Sequence, residues 1–188
     1  KNFNISPDAL LLNGADKYHE SPNGTKFISG EIYEGIFPAI IKNLLATRID
    51  AKKRMTFASS EERRILDARQ YALKILANSF YGYYGYPRAR LFREEIANSI
   101  TAYGRYNIEK RKKLIEENFD AEVIYGDTDS LFIKTKSDDT KECMELAEKI
   151  SKFVSEKSRF NFEFEKIYKS FLILTKKRMS LSKPLVNP

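Results

Sequence analysis

The sequence predicts an α+β fold, in which helices back an antiparallel sheet and an antiparallel helical hairpin is inserted into the chain. Two observations predict it. Four stretches place apolar residues at helical spacing, and short segments with the composition of strands follow the third and fourth of them. The length of 188 residues fits one domain or two small lobes with a buried core.

The composition indicates a soluble globular protein, with 42% apolar and 31% charged residues. No apolar run reaches the ~18 residues that a membrane span requires. Cys143 is the single cysteine, which excludes a disulfide scaffold or a cysteine zinc site and favours an intracellular location. The net charge of +7 predicts an anionic partner such as nucleic acid or a nucleotide.

The N-terminal part is rich in turn residues up to about position 33, and it holds the only histidine. His19 lies in a polar stretch and is predicted to be a surface residue. This disfavours a histidine-dependent catalytic triad and a histidine-rich metal site, so a metal ion should be held by oxygen ligands.

The first helix is predicted from about Pro38 to Met55, and the second from about Glu61 to Ser79. Ser59 and Glu62 form a capping box at the start of the second helix. Because the connection is so short, the two helices should form an antiparallel hairpin.

The remaining elements alternate between helices and strands. A third helix is predicted over residues 93–117 and a fourth over 140–156, with two further strands between 163 and 175. Glu163 and Glu165 are placed on the first of these strands, either as additional acidic site residues or as an exposed strand face.

Two carboxylates mark the tip of a predicted β-hairpin between the third and fourth helices. Asp127 and Asp129 lie two residues apart within Tyr-Gly-Asp-Thr-Asp-Ser, so in extended backbone they share a face. Such a pair repels unless a proton or a hard cation lies between the two groups. The alternative is an ordinary turn, because Gly, Asp, Thr and Ser all favour turns.

Ordered positive charge lies on the predicted helical hairpin. Arg48 and Lys52 are four residues apart on the first helix, while Lys74, Asn78 and Tyr81 form one stripe on the second. If the two faces converge, the cations suit a triphosphate. The alternatives are a solvated basic face and, for Tyr81, simple core packing.

Three motifs carry a resemblance to a known family. The segment from Lys74 to Gly82, the hexapeptide from Tyr125 to Ser130, and Thr175-Lys176-Lys177-Arg178 occur in the order found in family B DNA polymerases, especially archaeal ones. Residues 4–8, Asn-Ile-Ser-Pro-Asp, also resemble the segment that follows the first catalytic motif of that family.

The resemblance implies a DNA polymerase that extends a primer with dNTPs by a two-metal mechanism. Asp129 would ligate both Mg²⁺ ions, with Asp127 in support and Lys74 as proton donor to pyrophosphate. The other implied contacts are Arg48, Lys52 and Lys74 with the triphosphate, Asn78 and Tyr81 in the nucleotide pocket, and Lys176, Lys177 and Arg178 with the primer-template DNA. The implied domains are palm at 1–33 and 88–170, fingers at 34–87, and the start of the thumb at 171–188.

The departures from the family pattern are equally informative. The first catalytic motif, an Asp followed by Ser-Leu-Tyr-Pro-Ser, is absent, and Met179 stands where the family has Tyr. The chain is therefore expected to need a larger partner that supplies this aspartate, the exonuclease and the thumb. We expect a natural small subunit of a split polymerase rather than an excised piece.

Two other functions remain open at this stage. The chain could be a polymerase-like subunit that only binds DNA or holds a partner, independently of Asp127, Asp129 and Lys74. It could also be a glycosyltransferase with an Asp-x-Asp metal site. That hypothesis does not explain the cations of the helical hairpin.

Overall fold

The computed structural model describes residues 2–11, 17–127, 130–158, 160–175, 178–182 and 184–186, and within them it does not describe the side chains of 127, 174–175, 178–181 and 186. The chain divides into two compact units, Lys1–Tyr106 and Asn107–Pro188. None of the helices in the described part is long and apolar enough to cross a membrane.

The first unit combines a small β-ladder with a long helical hairpin. Strands β1 (Tyr18–Glu20) and β2 (Lys26–Ile28) pair antiparallel. Helices α1 (Ile36–Met55) and α2 (Ser60–Tyr84) form the hairpin, and α3 (Glu94–Asn118) begins in this unit. The Ser59 half of the expected capping box is present at the start of α2, where the backbone N–H of Glu62 donates to the Ser59 hydroxyl at 3.3 Å. The Glu62 carboxylate forms an ion pair with Arg54 at 3.4 Å.

The second unit contains the end of α3, helix α4 and three antiparallel ladders. Helix α4 (Thr140–Glu156) has the predicted bounds. The strand pairs are β3 (Ala121–Asp127) with β4 (Ser130–Thr135), β5 (Ile167–Tyr168) with β8 (Pro184–Val186), and β6 (Phe171–Thr175) with β7 (Arg178–Leu181). The α+β class is confirmed, with the antiparallel pairing distributed over small two-stranded ladders.

Each unit has its own apolar core. In the first unit Phe27, Tyr84 and Ile96 are buried together, so β2, the end of α2 and the start of α3 meet. In the second unit α3, β3 and α4 contribute the buried residues, which are Ile115, Val123, Ile150 and Val154. Since side chains packed on these clusters come from neighbouring strands and loops, the clusters hold each unit together.

His19 contradicts its sequence-based prediction. It lies in β1 opposite Phe27 and is half-buried, with ring centroids 5.8 Å from Phe27 and 6.4 Å from Tyr103. Strand pairing turns this ring towards an aromatic cluster rather than towards solvent. The surface prediction failed because it rested on the polar residues next to His19 in the sequence.

The strand predicted to begin at Glu163 is also wrong. Residues 161–166 form no strand, and pairing begins only at Ile167. The backbone N–H of Phe162 donates to the Ser155 hydroxyl at 2.8 Å, and this hydroxyl donates to the Phe162 carbonyl at 3.2 Å. The segment therefore docks on the end of α4, and Glu163 and Glu165 are exposed beside it.

Helix α1 begins two residues earlier than predicted because a distant segment caps it. Asp8 accepts hydrogen bonds from the Tyr33 hydroxyl at 2.6 Å and from the backbone N–H of Ile36 at 2.9 Å. Desolvation alone would raise the pKa of Asp8, but these bonds and one from the Ser6 hydroxyl outweigh it and lower the pKa. The hydrogen bond to Asp8 in turn raises the pKa of Tyr33.

We expect Ile96→Ala to reduce the free energy of unfolding by about 2–5 kcal/mol, because it leaves a cavity in a fully buried position. Ile65→Ala removes the same atoms from a helical side chain that is 64% exposed, and should change it by less than about 0.5 kcal/mol. Urea denaturation followed by circular dichroism compares the two. Equal effects would show that the core of the first unit is assigned wrongly.

The stability of the protein should fall in acid partly through Asp8. Because the folded-state pKa is lowered, the charged carboxylate stabilises the fold above the unfolded pKa of about 3.9, and this contribution is lost as the pH falls through the folded pKa. The stability difference between wild type and Asp8→Asn should therefore narrow as the pH falls below about 5 and through the lowered folded-state pKa. Asp138→Asn, at an exposed position, is the control and should show no such narrowing. A constant difference for Asp8→Asn would contradict the assignment.

Candidate functional site

The carboxylate motif lies at the tip of the β3–β4 hairpin. The strands pair from Ala121 opposite Thr135 to Asp127 opposite Ser130, with a register shift between Val123 and Tyr125. Asp127 is the last residue of β3, and its backbone pairs with that of Ser130. Asp129 lies outside the described residues, in the two-residue connection between the strands.

Aromatic packing and a glycine support this tip. The Tyr125 and Phe132 rings lie 5.9 Å apart edge to face across the hairpin, and Phe132 stacks on Phe171 at 4.7 Å. At Gly126 a Cβ atom would lie 3.1 Å from Leu131 Cδ2 and 3.3 Å from Ile108 Cγ2. Helix α3 thus packs closely on the hairpin next to Asp127, and a side chain at position 126 would require Leu131 and Ile108 to shift by a few tenths of an ångström.

The cationic face of α1 meets α2 in the helical hairpin. The half-buried Arg48 donates from Nε to Gln70 Oε1 at 3.2 Å, and Gln70 Nε2 donates to Asp67 Oδ1 at 2.9 Å. An open groove of about 410 Å³ lies nearby, lined by Lys52, Met55, Thr56, Arg63, Asp67 and Gln70. The structure therefore brings the region of Arg48 and Lys52 to the α2 face that carries Gln70.

The predicted stripe of α2 continues from this face. Lys74 lies four residues after Gln70, one helical turn further along, and Asn78 and Tyr81 follow at the same spacing. All three side chains are exposed, and Tyr81 is 47% exposed, so core packing does not account for it. Phe80 and Tyr84 pack into the core instead.

Sequence reasoning missed Asp67, Gln70 and Arg63 as groove residues. The first two extend the stripe of Lys74 and Asn78 towards the N-terminus of α2, at spacings of three and four residues. This periodicity was the available signal. Arg63 offered none, because its Nε donates to the Met55 carbonyl at 3.1 Å across the turn between the helices.

The basic C-terminal motif is described only in part. Lys176 and Lys177 lie outside the described residues, and Arg178 begins β7 with its backbone opposite Thr175. Their predicted contacts with DNA stay predictions.

The ability of the hairpin to hold a metal ion depends on the carboxylates at its tip. Asp127 and Asp129 offer hard oxygen ligands suited to Mg²⁺. Among the residues that the structure describes, no group of three or more His, Cys, Asp or Glu is arranged to hold a metal ion. The oxygen donors of Asp127 and Asp129 fit Mg²⁺, which is usually bound by one or two carboxylates with waters and phosphate oxygens completing its shell.

Similar proteins identify the family to which the chain belongs. The family model for DNA polymerase family B matches residues 2–182. The chain belongs to DNA polymerase family B. A DNA polymerase of Thermococcus gorgonarius is 38% identical over 182 residues, covering 95% of this chain and 23% of the relative. A DNA polymerase delta catalytic subunit of Oryza sativa is 39% identical over 183 residues, covering 91% of this chain and 17% of the relative.

A solved structure agrees with this family assignment. The family B DNA polymerase from the archaeon Pyrobaculum calidifontis superposes with a TM-score of 0.74 at 31% identity, over 95% of this chain and 23% of that one. The expected resemblance to archaeal family B polymerases is confirmed. The chain spans about a quarter or less of the length of these relatives.

We expect Gly126→Ala to reduce the free energy of unfolding by about 1–3 kcal/mol, because Leu131 and Ile108 must move to admit the new methyl group. Gly104→Ala, inside α3 where a Cβ would meet no atom within 4 Å, should instead stabilise the protein by about 0.5–1 kcal/mol. Thermal and urea unfolding measure both variants. Stabilisation by Gly126→Ala would contradict the close packing of α3 on the hairpin.

Proposed function

We propose that this chain is part of a DNA-directed DNA polymerase that transfers nucleotides from dNTPs to a primer end. In this proposal residues 34–87 act as the fingers, 1–33 and 88–170 belong to the palm, and 171–188 begin the thumb. Family membership supports the proposal, as do relatives that are themselves named DNA polymerases. The basic net charge of +7 suits a nucleic-acid substrate.

The observation that carries the proposal is the groove of the helical hairpin. Arg48 and Lys52 of α1 lie at the α2 face that holds Gln70, and this face continues to Lys74. Because Arg48 Nε is bonded to Gln70, its terminal nitrogens remain to form a two-pronged contact with phosphate oxygens. Lys52 and Lys74 add point charges, so three cations would bind the triphosphate of the incoming dNTP.

The reaction exchanges one phosphorus–oxygen bond for another. The 3′-hydroxyl of the primer loses its proton to solvent, and its oxygen bonds to the α-phosphorus of the dNTP. The bond from this phosphorus to the bridging oxygen breaks, and pyrophosphate leaves. Arg48 and Lys52 offset the charge that develops on the leaving group, and Lys74 would give it a proton. Fixed cations are effective here because they need no rearrangement during the reaction.

The remaining residues would position the substrates. Asn78 would line the nucleotide pocket and Tyr81 would pack against the nascent base pair, which their exposure on one face of α2 permits. The basic motif Lys176, Lys177 and Arg178 would contact the primer-template backbone, where each phosphate contact contributes salt-dependent affinity.

The carboxylates at the β3–β4 tip would hold Mg²⁺, with Asp129 as the main ligand and Asp127 in support. When bound, two such ions activate the attacking hydroxyl and stabilise the leaving oxygen. The 188 residues contain no Asp followed by Ser-Leu-Tyr-Pro-Ser, so the first catalytic aspartate would come from outside them. We propose that a larger polymerase chain supplies it together with the exonuclease and thumb elements, and that the assembly works in the cytoplasm at the nucleoid.

The test is primer extension by this chain together with the polypeptide that carries the first catalytic aspartate. Asp129→Asn should abolish nearly all extension, because the neutral amide removes the charge that attracts Mg²⁺. Asp138→Asn makes the same chemical change at an exposed position and should leave extension unchanged.

Binding of labelled primer-template DNA separates this proposal from a subunit that only binds DNA. Wild type and Asp129→Asn should both bind with affinity that falls as salt rises. Undiminished extension by Asp129→Asn would contradict the metal-ligand role. Binding without extension by the assembled wild type would favour the non-catalytic alternative.

A further inference from the structure

The first turn of α1 receives its hydrogen-bond acceptors from a segment about thirty residues earlier. Asn4 Oδ1 accepts from the backbone N–H of Gly35 at 2.8 Å, and Asp8 Oδ2 accepts from that of Ile36 at 2.9 Å. The Ser6 hydroxyl accepts from the N–H of Phe37 at 3.4 Å. We call Asn4, Ser6 and Asp8 the N-terminal clamp.

The clamp satisfies every donor that the helix start leaves open. The first four N–H groups of a helix have no partner within the helix, and Gly35 has no side chain with which to cap α1. The fourth position is Pro38, which has no N–H. Three donors therefore meet three acceptors, each from an alternate residue of the clamp.

The clamp is itself rigidly held. Asn4 and Ser6 are buried, with 5% and no exposure, and Asn4 Nδ2 donates to the carbonyls of Ile28 and Tyr33 at 2.9 and 2.8 Å. The contact with the helix leaves no space, since a Cβ on Gly35 would lie 2.6 Å from Ser6 Cβ. The backbone of Asn4 adopts a φ of 47°, a left-handed conformation that Asn tolerates better than most residues.

We propose that Asn4, Ser6 and Asp8 are positioning residues for the incoming nucleotide, because they fix the direction in which α1 extends from the core of the first unit. This inference rests on the proposed polymerase function. Arg48 lies twelve residues beyond Ile36, about 18 Å along the helix, so a tilt of about 10° at the clamp moves it by about 3 Å. Displacements of this size are enough to disrupt contacts between a protein and a reacting group.

Contacts between α1 and α2 couple the start of α1 to the rest of the helical hairpin. Phe37, in the clamped turn, packs edge to face on Phe80 and Tyr84 with centroid distances of 5.4 and 4.9 Å. Helices α1 and α2 are further joined through Arg48 and Gln70. Loosening the clamp therefore changes the placement of Arg48 and Lys52 together, while the β3–β4 hairpin keeps its own support.

The experiment compares Asp8→Ala, Asp8→Asn and the control Asp50→Ala, whose exposed carboxylate lies on α1 away from the clamp. Hydrogen–deuterium exchange of the peptide covering residues 33–40 measures how well the clamp protects the start of α1, and it needs no enzymatic assay. We expect exchange there to be at least 10-fold faster in Asp8→Ala, near wild type in Asp8→Asn, which keeps an acceptor oxygen, and unchanged in Asp50→Ala. No change in Asp8→Ala would overturn the proposal.

Single-nucleotide incorporation by the assembled polymerase then tests the positioning role through KM and kcat for the dNTP. Asp8→Ala should raise the KM for dNTP about 10-fold or more, with kcat and primer-template affinity within about 3-fold of wild type, and Asp8→Asn should recover most of the loss. A merely structural role would lower the active fraction, and thus kcat, at unchanged KM, which would overturn the proposal. If the wild-type assembly does not extend primers at all, the polymerase function fails first and this role fails with it.

Discussion

The contact of Phe37 with Phe80 and Tyr84 is the interaction on which the helical hairpin depends. Helices α1 and α2 together bury few side chains, namely Pro38, Ala51, Leu66 and Tyr84. A long hairpin with so little buried surface gains most of its stability from tertiary contacts at its base rather than from helix propensity. The edge-to-face aromatic contacts join this base to the core around Phe27 and Ile96.

The same base explains how polar and apolar contacts work together. The clamp residues alternate with Ile5, which packs against the core cluster of the first unit. One short segment thus seals the apolar core with one set of side chains and caps α1 with the other. Burying Asn4 and Ser6 would be unfavourable without these hydrogen bonds, so packing and capping depend on each other.

The β3–β4 hairpin carries charged residues at its tip, and packed side chains hold its strands in place. Val123 anchors β3 in the core, Phe132 stacks on Phe171, and Gly126 lets α3 approach closely. Asp127 thereby ends a strand of a packed element, which suits the proposed metal site. Like charges at such a tip are tolerable when a cation joins them, which agrees with the proposed role in binding Mg²⁺.

The sequence by itself determined the elements whose causes are local. Helical periodicity predicted α2 and α4, and the Ser59 cap predicted where α2 begins, although α2 continues beyond its predicted end at Ser79 to Tyr84. Strand segments on either side of turn residues predicted the β3–β4 hairpin. The order of three motifs predicted the family, which the comparisons confirmed. The spacing of Arg48 and Lys52 predicted a cationic face on α1, and that of Lys74 and Asn78 predicted a stripe on α2, because residues four apart share a face of a helix.

Only the tertiary structure decided which distant groups meet. The start of α1 depends on acceptors about thirty residues away, the half-burial of His19 on a neighbouring strand, and the course of the Glu163 segment on Ser155. The spacing of residues along the chain does not show which distant residues make contact. The same holds for Gln70, whose bond to Arg48 forms only because the two helices fold back on each other. Periodicity thus determined which residues share a face, and packing determined what that face touches.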